Sequence, residues 1–247
     1  MAAIDPTSAG DRMVSGALAE VVEELLKHRQ SERQVTVLDL GGGTGVYAVP
    51  LARAGHPVTV VDQSPDALAT LRRRANAAGV GDLVTAVVSD LDAFDGGSAE
   101  LAADVVLCHR VLEYVDNPVQ TLIEAGRAVR AGGVLSVVSA SRFGAILSRV
   151  LGGRCEEARA LLDDPHGRVG AADQIVRRFE VGQLTELLAQ ASLSVISSRG
   201  VGLFEELTSR HGTLSDNGLA TTLDRTAPFV EVAPYIHLLA QPVRQGS

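Results

Sequence analysis

The sequence has 247 residues, of which 46% are hydrophobic, and its formal net charge at pH 7 is −8. This composition allows a sizeable core, so we expect residues 1–247 to form a single α/β domain. The acidic balance disfavours a strong nonspecific grip on nucleic acid, because phosphate contacts need a basic surface. The apolar runs are strand-sized, well short of the roughly 20 residues of a membrane helix. Without a signal-peptide pattern at the N-terminus, we expect a cytoplasmic protein with no membrane span.

The two cysteines, Cys108 and Cys155, stand far apart in the sequence. Neither has a histidine or a second cysteine at the spacing of metal ligands. We therefore expect two reduced thiols, with no disulfide and no metal site.

Residues 17–29 are predicted to form an amphipathic helix ahead of the first strand. Its apolar face carries Leu18, Val21, Val22, Leu25 and Leu26. The chain then alternates β-branched runs with helical stretches. The predicted strands are 35–40, 57–61, 83–88, 104–108 and 134–138, and the predicted helices are 45–54, 65–78 and 118–130. Such alternation indicates a doubly wound, mostly parallel sheet with helices on both faces, because each crossover returns to the same edge.

The alternation ends after the fifth strand. Residues 140–179 are predicted to be an insertion over the strand ends, with at least one helix. A helix is predicted over 181–190, and strands over 193–201 and 235–240 should form an antiparallel terminal hairpin. The expected parts of the chain are a helical cover (1–34), a ligand-binding core (35–139), the insertion (140–179) and a C-terminal helix with strands (180–247).

A glycine-rich turn, Asp39-Leu40-Gly41-Gly42-Gly43-Thr44-Gly45, follows the first predicted strand. In open α/β sheets ligands bind beyond the carboxyl ends of the strands, where this turn would lie. Gly43, Gly45 and Ala48 also satisfy the G-x-G-x-x-A pattern of dinucleotide sites. Alone, that pattern is a weak indicator, so a nicotinamide or flavin cofactor has to be weighed against other nucleosides.

Charge favours a cationic cofactor over a dinucleotide. Asp39 stands beside the turn, where it would repel a pyrophosphate but attract the ammonium and sulfonium of S-adenosylmethionine. Asp62 ends the second strand, where a carboxylate can accept ribose hydroxyls. Asp90 and Leu91 follow the third strand. There the carboxylate can accept a hydrogen bond from the adenine amino group, and the Leu91 amide can donate one to a ring nitrogen. Each acid alone would more often be a turn former or helix cap, but acids at successive strand ends favour a nucleoside-bearing ligand.

Five segments occur in the order that is typical of class I S-adenosylmethionine-dependent methyltransferases: VLDLGGGTG, VVDQSPDAL, VVSDLDAF, DVVLCHRVLEYVDNP and GGVLSVV. The resemblance covers about residues 12–140. It implies a seven-stranded Rossmann-like sheet, with S-adenosylmethionine as cofactor and S-adenosylhomocysteine as product. Within that superfamily the chain most resembles the bacterial tRNA 5-carboxymethoxyuridine methyltransferases, through HRVLEYVDNP, GLFEELTSRHG and PYIHLLAQP. In that family the methyl acceptor is a carboxylate on a wobble uridine.

The residues and the resemblance together give a set of expected cofactor contacts, among which Arg12 is a candidate for the cofactor carboxylate. The set is Arg12, Asp39, Gly41, Gly42, Gly43, Gly45, Asp62, Gln63, Ser89, Asp90, Leu91 and His109. The chain departs from the tRNA family at Pro234, which precedes Tyr235 where those relatives carry an arginine.

The acceptor side is less clearly marked. Methyl transfer needs an in-line nucleophile at roughly 3 Å, and a base only when the acceptor is protonated. His109 is a candidate base, although packing on the cofactor is the favoured interpretation, and Tyr114 is a candidate pocket residue while Glu113 braces. Between Arg142 and Arg178 stand seven arginines and five acids, a bias that suits an anionic acceptor. The candidate acceptor contacts are Arg142, Arg149, Arg177, Arg178 and Tyr235.

Three functions are compatible with this sequence. A tRNA wobble-uridine carboxyl methyltransferase is favoured by the terminal segments. A methyltransferase of small metabolites, acting on oxygen or nitrogen, is favoured by the acidic composition and by Pro234. A non-catalytic cofactor-binding module is disfavoured by Asp39, Asp62, Asp90 and the intact glycine turn. The expected partner is therefore tRNA or an anionic small molecule.

Overall fold

The computed structural model describes Val22, residues 34–208 and residues 217–243. The strands are β1 (Val37–Leu40), β2 (Val58–Asp62), β3 (Val84–Val88), β4 (Ala103–His109), β5 (Val129–Ala140), β6 (Leu193–Val201) and β7 (Tyr235–Pro242). The α-helices are α1 (Ala48–Arg53), α2 (Pro65–Ala77), α3 (Pro118–Arg127), α4 (Arg142–Leu151), α5 (Cys155–Asp163), α6 (Val181–Gln190), α7 (Leu203–Thr208), α8 (Asn217–Asp224) and α9 (Phe229–Val232). The helix predicted over 17–29 lies outside the described residues except for Val22, which is helical and buried.

The seven described strands form one sheet in the order β3-β2-β1-β4-β5-β7-β6. Strands β1 to β5 pair in parallel, whereas β7 pairs antiparallel with both β5 and β6. The predicted mostly parallel sheet with an antiparallel terminal pair is therefore confirmed. No tight turn joins the two strands, because residues 202–234 separate β6 from β7 in sequence. In the sheet, β7 lies between β5 and β6. The strand order reverses at β1, so the chain leaves this strand at the point where such sheets bind ligands.

Both faces of the sheet are covered by helices. One apolar cluster joins Leu38 of β1 to Leu122 of α3 and extends to α6. The other joins Val37 of β1 to Leu51 of α1 and Leu68 of α2. Successive strand residues point to opposite faces, so a strand that is covered twice needs apolar residues without alternation. This requirement explains the continuous apolar runs in the sequence and confirms the doubly wound architecture.

Two of the crossover helices, α2 and α3, begin at local side-chain caps. The Ser64 hydroxyl accepts from the Ala67 amide at 3.2 Å ahead of α2, and Pro65 occupies the first helical position. Asn117 in the same way caps α3, ahead of Pro118. A side chain that accepts from a free amide of the first turn, followed by proline, is a strong start signal.

The prediction for the end of α3 was wrong. The sequence pattern extended this helix to residue 130, but it ends at Arg127 and Val129 already pairs with Ala103 of β4. A register shift after Ala103 and a positive φ of 80° at Gly132 carry the chain into β5. Pairing with β4 therefore places residues 129 and 130 in a strand, although their local sequence pattern had predicted a helix.

The 140–179 segment leaves and rejoins the sheet at one place. The Arg142 amide donates to the Phe179 carbonyl at 2.9 Å, and the Phe179 amide donates to the Ala140 carbonyl at 3.0 Å. The Ser141 amide donates a hydrogen bond to the Pro234 carbonyl at 3.0 Å. The segment holds α4 and α5, in agreement with the predicted insertion, and its base is fixed beside the carboxyl end of β5.

Three further observations concern the described ranges alone. None of their helices combines the length and apolarity that crossing a bilayer requires. No group of three or more His, Cys, Asp or Glu side chains within these ranges is placed to hold a metal ion. Cys108 is buried in β4, Cys155 is exposed at the start of α5, and both are free thiols.

Replacing Gly144 by alanine should destabilise the fold, because a Cβ there would lie 2.0 Å from the Ala233 carbonyl oxygen. We expect a loss of about 1–3 kcal/mol in the free energy of unfolding, the usual cost of overpacking a tight contact. The matched control is Gly182→Ala in α6, where nothing lies within 4 Å of the added methyl group. That variant should gain about 0.5–1 kcal/mol. Denaturant unfolding compares the two, and equal stabilities would contradict the close contact.

Candidate active site

The glycine turn after β1 is held in left-handed backbone by close contacts. Gly41 and Gly45 have φ of 68° and 78°, a region that favours glycine. A Cβ on Gly41 would lie 2.6 Å from Val111, and one on Gly45 would lie 2.2 Å from Leu71. The turn is therefore wedged between the segment after β4 and helix α2, and larger residues are excluded at both positions.

Gly43 differs from its neighbours in the turn. Its φ is 53°, but the nearest atoms to an added Cβ would be the Asp62 carboxylate at 3.7 Å and the Gly41 carbonyl at 3.9 Å. Among the described residues, apart from the chain neighbours of Gly43, no other atom lies within 4 Å of this Cβ position. A ligand can therefore approach the main chain at Gly43, as the glycine-turn hypothesis requires.

Asp62 connects the turn to the end of β2. Its Oδ2 accepts from the Gly43 amide at 3.0 Å, and its Oδ1 accepts from the Ser64 amide at 2.8 Å. A carboxylate can accept about four hydrogen bonds, so the two from backbone amides leave acceptor sites for further donors. The side chain thus orients the turn and can still accept from vicinal hydroxyls.

Asp39 is buried directly beneath the turn. It is 1% exposed, and its Oδ2 has no hydrogen-bond partner within the described part of the chain. Burial, and then the charge of Asp62, raises the pKa of Asp39 to about 7. This oxygen lies 2.4 Å from where a Cβ on Gly42 would stand, so the carboxyl group packs on the turn itself. A cation bound at the turn would stabilise the ionised form of Asp39.

The residues that follow β3 lie beside the glycine turn and Asp62. The Ser89 amide donates to the Asp62 carbonyl at 3.2 Å, and Leu91 lies 3.5 Å from the Cβ position of Gly41. Asp90 is exposed and uses Oδ1 to accept from the Asp92 amide at 3.1 Å. Gln63 is exposed after β2. The structure thus brings the expected cofactor contacts after β1, β2 and β3 to one crevice, whereas Arg12 lies outside the described residues.

His109 lies in a buried polar network at the end of β4. Its ring packs edge-on against Tyr47 with centroids 4.9 Å apart, and its Nε2 is 2.8 Å from the Ser136 hydroxyl. The same hydroxyl lies 2.9 Å from Nε2 of His237. Burial, and then the neighbouring His237, lowers the pKa of His109 well below its ordinary value. His109 is therefore a neutral, hydrogen-bonded core residue, a placement that suits packing more than general-base chemistry.

Glu113 braces the segment after β4. Its Oε1 accepts from the Ala140 amide at 2.7 Å, which ties this segment to the end of β5. Burial raises the pKa of Glu113 to about 7, against the Ala140 hydrogen bond and the charges of Arg110 and Arg178. The carboxyl group is therefore poised between charged and neutral forms near pH 7.

A small cationic–aromatic cluster consists of Arg110, Tyr114 and Tyr235. The sequence analysis had named the two tyrosines as acceptor-side candidates but missed Arg110. The Arg110 guanidinium carbon lies 5.3 Å from the centre of the Tyr235 ring. Burial raises the pKa of Tyr114, and the nearby Arg110 acts against this rise. Tyr114 is 50% exposed. Arg110 has a φ of 58°, which is uncommon for a residue with a side chain and is enriched at functional sites. That backbone angle cannot be seen in the sequence.

Two of the four arginines expected to contact the acceptor hold the insertion together. Arg142 donates from Nη2 to the Leu162 carbonyl at 2.7 Å and from Nε to the Leu161 carbonyl at 3.1 Å. Arg178 is buried and pairs with Asp173 at 2.7 Å. Both guanidinium groups therefore satisfy carbonyl or carboxylate groups of the insertion itself.

The other two arginines also have partners in the protein. Arg177 donates to the Leu112 carbonyl at 3.1 Å and to the Val115 carbonyl, so it connects the insertion to the segment after β4. Arg149 forms an ion pair with Glu157 at 3.4 Å. Reversing these charges would break internal contacts, and an effect on the acceptor could not be separated from an effect on folding.

The site geometry agrees with what comparison with other proteins finds. A sequence profile described as a methyltransferase domain matches residues 38–137, which include the whole crevice between β1 and β4. The chain is 26% identical over 217 residues to the tRNA 5-carboxymethoxyuridine methyltransferase of Escherichia coli K12, covering 85% of this chain and 80% of that protein. This chain is a class I S-adenosylmethionine-dependent methyltransferase.

Two further similarities extend this result. The methyltransferase is 33% identical over 133 residues to the ubiquinone biosynthesis O-methyltransferase of Methylocella silvestris, covering 53% of this chain and 48% of that protein. The solved CcbJ methyltransferase of Streptomyces caelestis superposes with a TM-score of 0.65 at 18% identity, covering 98% of this chain and 94% of that one. The latter match supports the fold of the methyltransferase.

The cofactor prediction is confirmed: the methyltransferase uses S-adenosylmethionine. The crevice fits that molecule on structural grounds. Asp39 presents a buried carboxylate oxygen without a partner among the described residues, and Gly43 leaves its backbone uncovered. These features suit a cationic nucleoside better than an anionic dinucleotide, because a pyrophosphate would face the carboxyl groups of Asp39 and Asp62.

Replacing Asp62 by alanine should weaken the binding of S-adenosylhomocysteine by about 1.5–3 kcal/mol, the range for hydrogen bonds to a charged group. The change removes an acceptor for the ligand and also the anchor of the Gly43 amide. Calorimetry measures the affinity, and Asp66→Ala is the matched control because this acid is exposed in the first turn of α2. An affinity of Asp62→Ala equal to that of the wild type would place the ribose contacts elsewhere.

Replacing His237 by glutamine should make folding less sensitive to acid. Burial, and then the charge of Arg199, lowers the pKa of His237 from 6.5 to about 3, so below pH 6.5 the unfolded state binds a proton that the folded state does not. The wild type therefore loses free energy of unfolding as the pH falls from 6.5 toward 3, by up to about 1.4 kcal/mol per pH unit for this group. Glutamine preserves a hydrogen-bonding group near Ser136 without titrating.

Unfolding of the wild type and of His237→Gln at a series of pH values tests this slope. The raised pKa values of Asp39 and Glu113 act in the opposite sense, because stability is lost as the pH rises through them. Their contributions cancel in the difference between the two proteins. Parallel curves from pH 7 to pH 4 would show that His237 takes up its proton in the folded state at the same pH as in the unfolded state.

Proposed function

We propose that this methyltransferase esterifies a carboxylate on a modified wobble uridine of tRNA. The observation that carries the proposal is the length of the similarity to the tRNA 5-carboxymethoxyuridine methyltransferase, which covers 85% of this chain and 80% of that protein. The matching region therefore includes most of the acceptor side as well as the cofactor crevice. A tRNA substrate would place the reaction in the cytoplasm.

The crevice would hold the cofactor through groups at three strand ends. Asp39 would face its cationic part, Asp62 its ribose, and Asp90 with the Leu91 amide its adenine. When bound, S-adenosylmethionine supplies a methyl group on a sulfonium centre that a nucleophile can accept. The close contacts around Gly41 and Gly45 keep the turn in one conformation, so little ordering is left for the moment of binding.

A carboxylate acceptor suits a site in which two side chains that could act as a base near the end of β4, His109 and Glu113, are buried. Carboxylates are ionised at pH 7, so the nucleophile needs no deprotonation. His109 is buried and hydrogen-bonded to Ser136, while Glu113 is bonded to the Ala140 amide. The residues around the acceptor would thus act by orienting it and by excluding water. Tyr114, half exposed beside the crevice, would line the acceptor pocket.

A small-molecule acceptor is the second candidate. Its support is the 33% identity to a ubiquinone biosynthesis O-methyltransferase, although that match covers about half of each chain. The net charge of −8 also disfavours a broad phosphate-binding surface. In addition, the four insertion arginines of the acceptor hypothesis are bonded within the protein.

Incubation with labelled S-adenosylmethionine and tRNA distinguishes these candidates. We expect label in tRNA that carries the carboxymethoxy group and none in tRNA that lacks it. The rate should fall steeply with salt, because phosphate contacts release counterions, whereas a small acceptor would show little dependence. The label should be released by mild alkali, as an ester is. Unlabelled tRNA at low salt, with folded protein that binds the cofactor, would exclude the tRNA assignment and favour a small acceptor.

A further inference from the structure

We propose that Arg110, Tyr114 and Tyr235 form the subsite that binds the carboxylate of the methyl acceptor. The proposal rests on the proposed function to the extent that it concerns an anionic acceptor, and it names a cation that was not among the acceptor contacts expected from the sequence. Three observations carry it: the backbone of Arg110, its aromatic neighbours and the position of the cluster beside the cofactor crevice.

The backbone holds Arg110 in an uncommon conformation. Its φ is 58°, and its amide donates to the Val138 carbonyl of β5 at 2.7 Å. Left-handed backbone is disfavoured in residues that carry a Cβ and persists where the surrounding structure imposes it. The strand ends of β4 and β5 therefore fix the direction in which Arg110 leaves the sheet. A conformation that glycine would adopt more readily is retained here with an arginine side chain.

The aromatic neighbours prepare the guanidinium to bind an anion. Its carbon lies 5.3 Å from the centre of the Tyr235 ring, a cation–π distance that orients the planar group. Tyr114 is half exposed and lies near enough to Arg110 for the guanidinium to act against the rise that burial causes in the pKa of Tyr114. Arginine presents paired donors in a fixed fork that matches a carboxylate, and a phenol can add a third donor. The cluster thus has the composition of a carboxylate site that opens to solvent.

The cluster adjoins the cofactor crevice. Val111, the residue after Arg110, contacts the glycine turn, since it lies 2.6 Å from where a Cβ on Gly41 would stand. Tyr235 pairs with Ala140 at the end of β5. A carboxylate held by Arg110 would therefore lie over the ends of β4 and β5, next to the crevice formed by β1, β2 and β3. Methyl transfer requires this proximity of acceptor and donor.

The first test compares the kinetics of three arginine variants. Arg110→Gln should raise the KM for the anionic acceptor at least tenfold and leave the affinity for S-adenosylhomocysteine within twofold of wild type. Arg110→Lys keeps the positive charge but lacks the paired donors of a guanidinium, so its KM should lie between those of the wild type and Arg110→Gln. Arg159→Gln, which changes an exposed arginine of α5, is the matched control and should behave as wild type. An unchanged KM in Arg110→Gln would overturn the subsite.

Arg110→Gly is a control for effects on folding, because glycine readily adopts the backbone conformation found at this position. Arg110→Gly removes the side chain and favours a φ of 58°, so it should unfold no more readily than the wild type. It should nevertheless show the same rise in KM as Arg110→Gln. Normal kinetics in a folded Arg110→Gly variant would also overturn the proposal.

The second test needs no catalysis and so separates this proposal from the tRNA assignment. The chain has three tyrosines and no tryptophan, and two of the tyrosines belong to the cluster. The nucleoside 5-carboxymethoxyuridine should change the tyrosine fluorescence of the protein loaded with S-adenosylhomocysteine. Its methyl ester should have at least tenfold weaker effect, and Arg110→Gln should lose the response to the acid. Tyr47 provides a background signal outside the cluster.

The outcomes are distinct. A fluorescence response to the acid together with unlabelled tRNA would support the subsite and reject tRNA as the substrate. A wild-type protein that labels tRNA but responds equally to acid and ester, or not at all, would support the proposed function and overturn the subsite.

Discussion

The narrow space into which the chain turns after β1 is the constraint on which the rest of the site depends. Val111 limits this space at Gly41, Leu71 limits it at Gly45, and the buried carboxyl group of Asp39 lies beneath Gly42. Glycine alone fits at these points, because any Cβ would overlap a side chain of the core. The same packing that excludes side chains brings the backbone amides to the edge of the sheet, where a ligand can reach them.

Electrostatics at this edge follow from burial. The Asp39 carboxyl group lies deep beneath the turn and near Asp62, so its pKa rises to about 7. Asp62 is slightly more exposed and accepts hydrogen bonds from two backbone amides. The crevice therefore favours a positively charged cofactor over a phosphate-bearing one, and fold and charge lead to the same assignment.

On the acceptor side, the four insertion arginines of the acceptor hypothesis are engaged in contacts within the protein. Arginines of the insertion, such as Arg142 and Arg178, support its own carbonyl and carboxylate groups. Arg110, in the segment after β4, instead packs on Tyr235. The guanidinium groups of Arg142 and Arg178 are thus bonded to groups of the protein itself.

The sequence by itself determined the alternating strands and helices, the glycine turn and the acids at the strand ends. These features depend on local periodicity, caps and the rule that parallel strands end at one edge, as Ser64 and Asp62 illustrate. The tertiary structure alone decided that α3 ends at Arg127, that His109 lies in a buried network with Ser136, and that Arg110 meets Tyr235. Each of these depends on pairing or packing between segments distant in sequence, where contacts with other strands outweigh local preference.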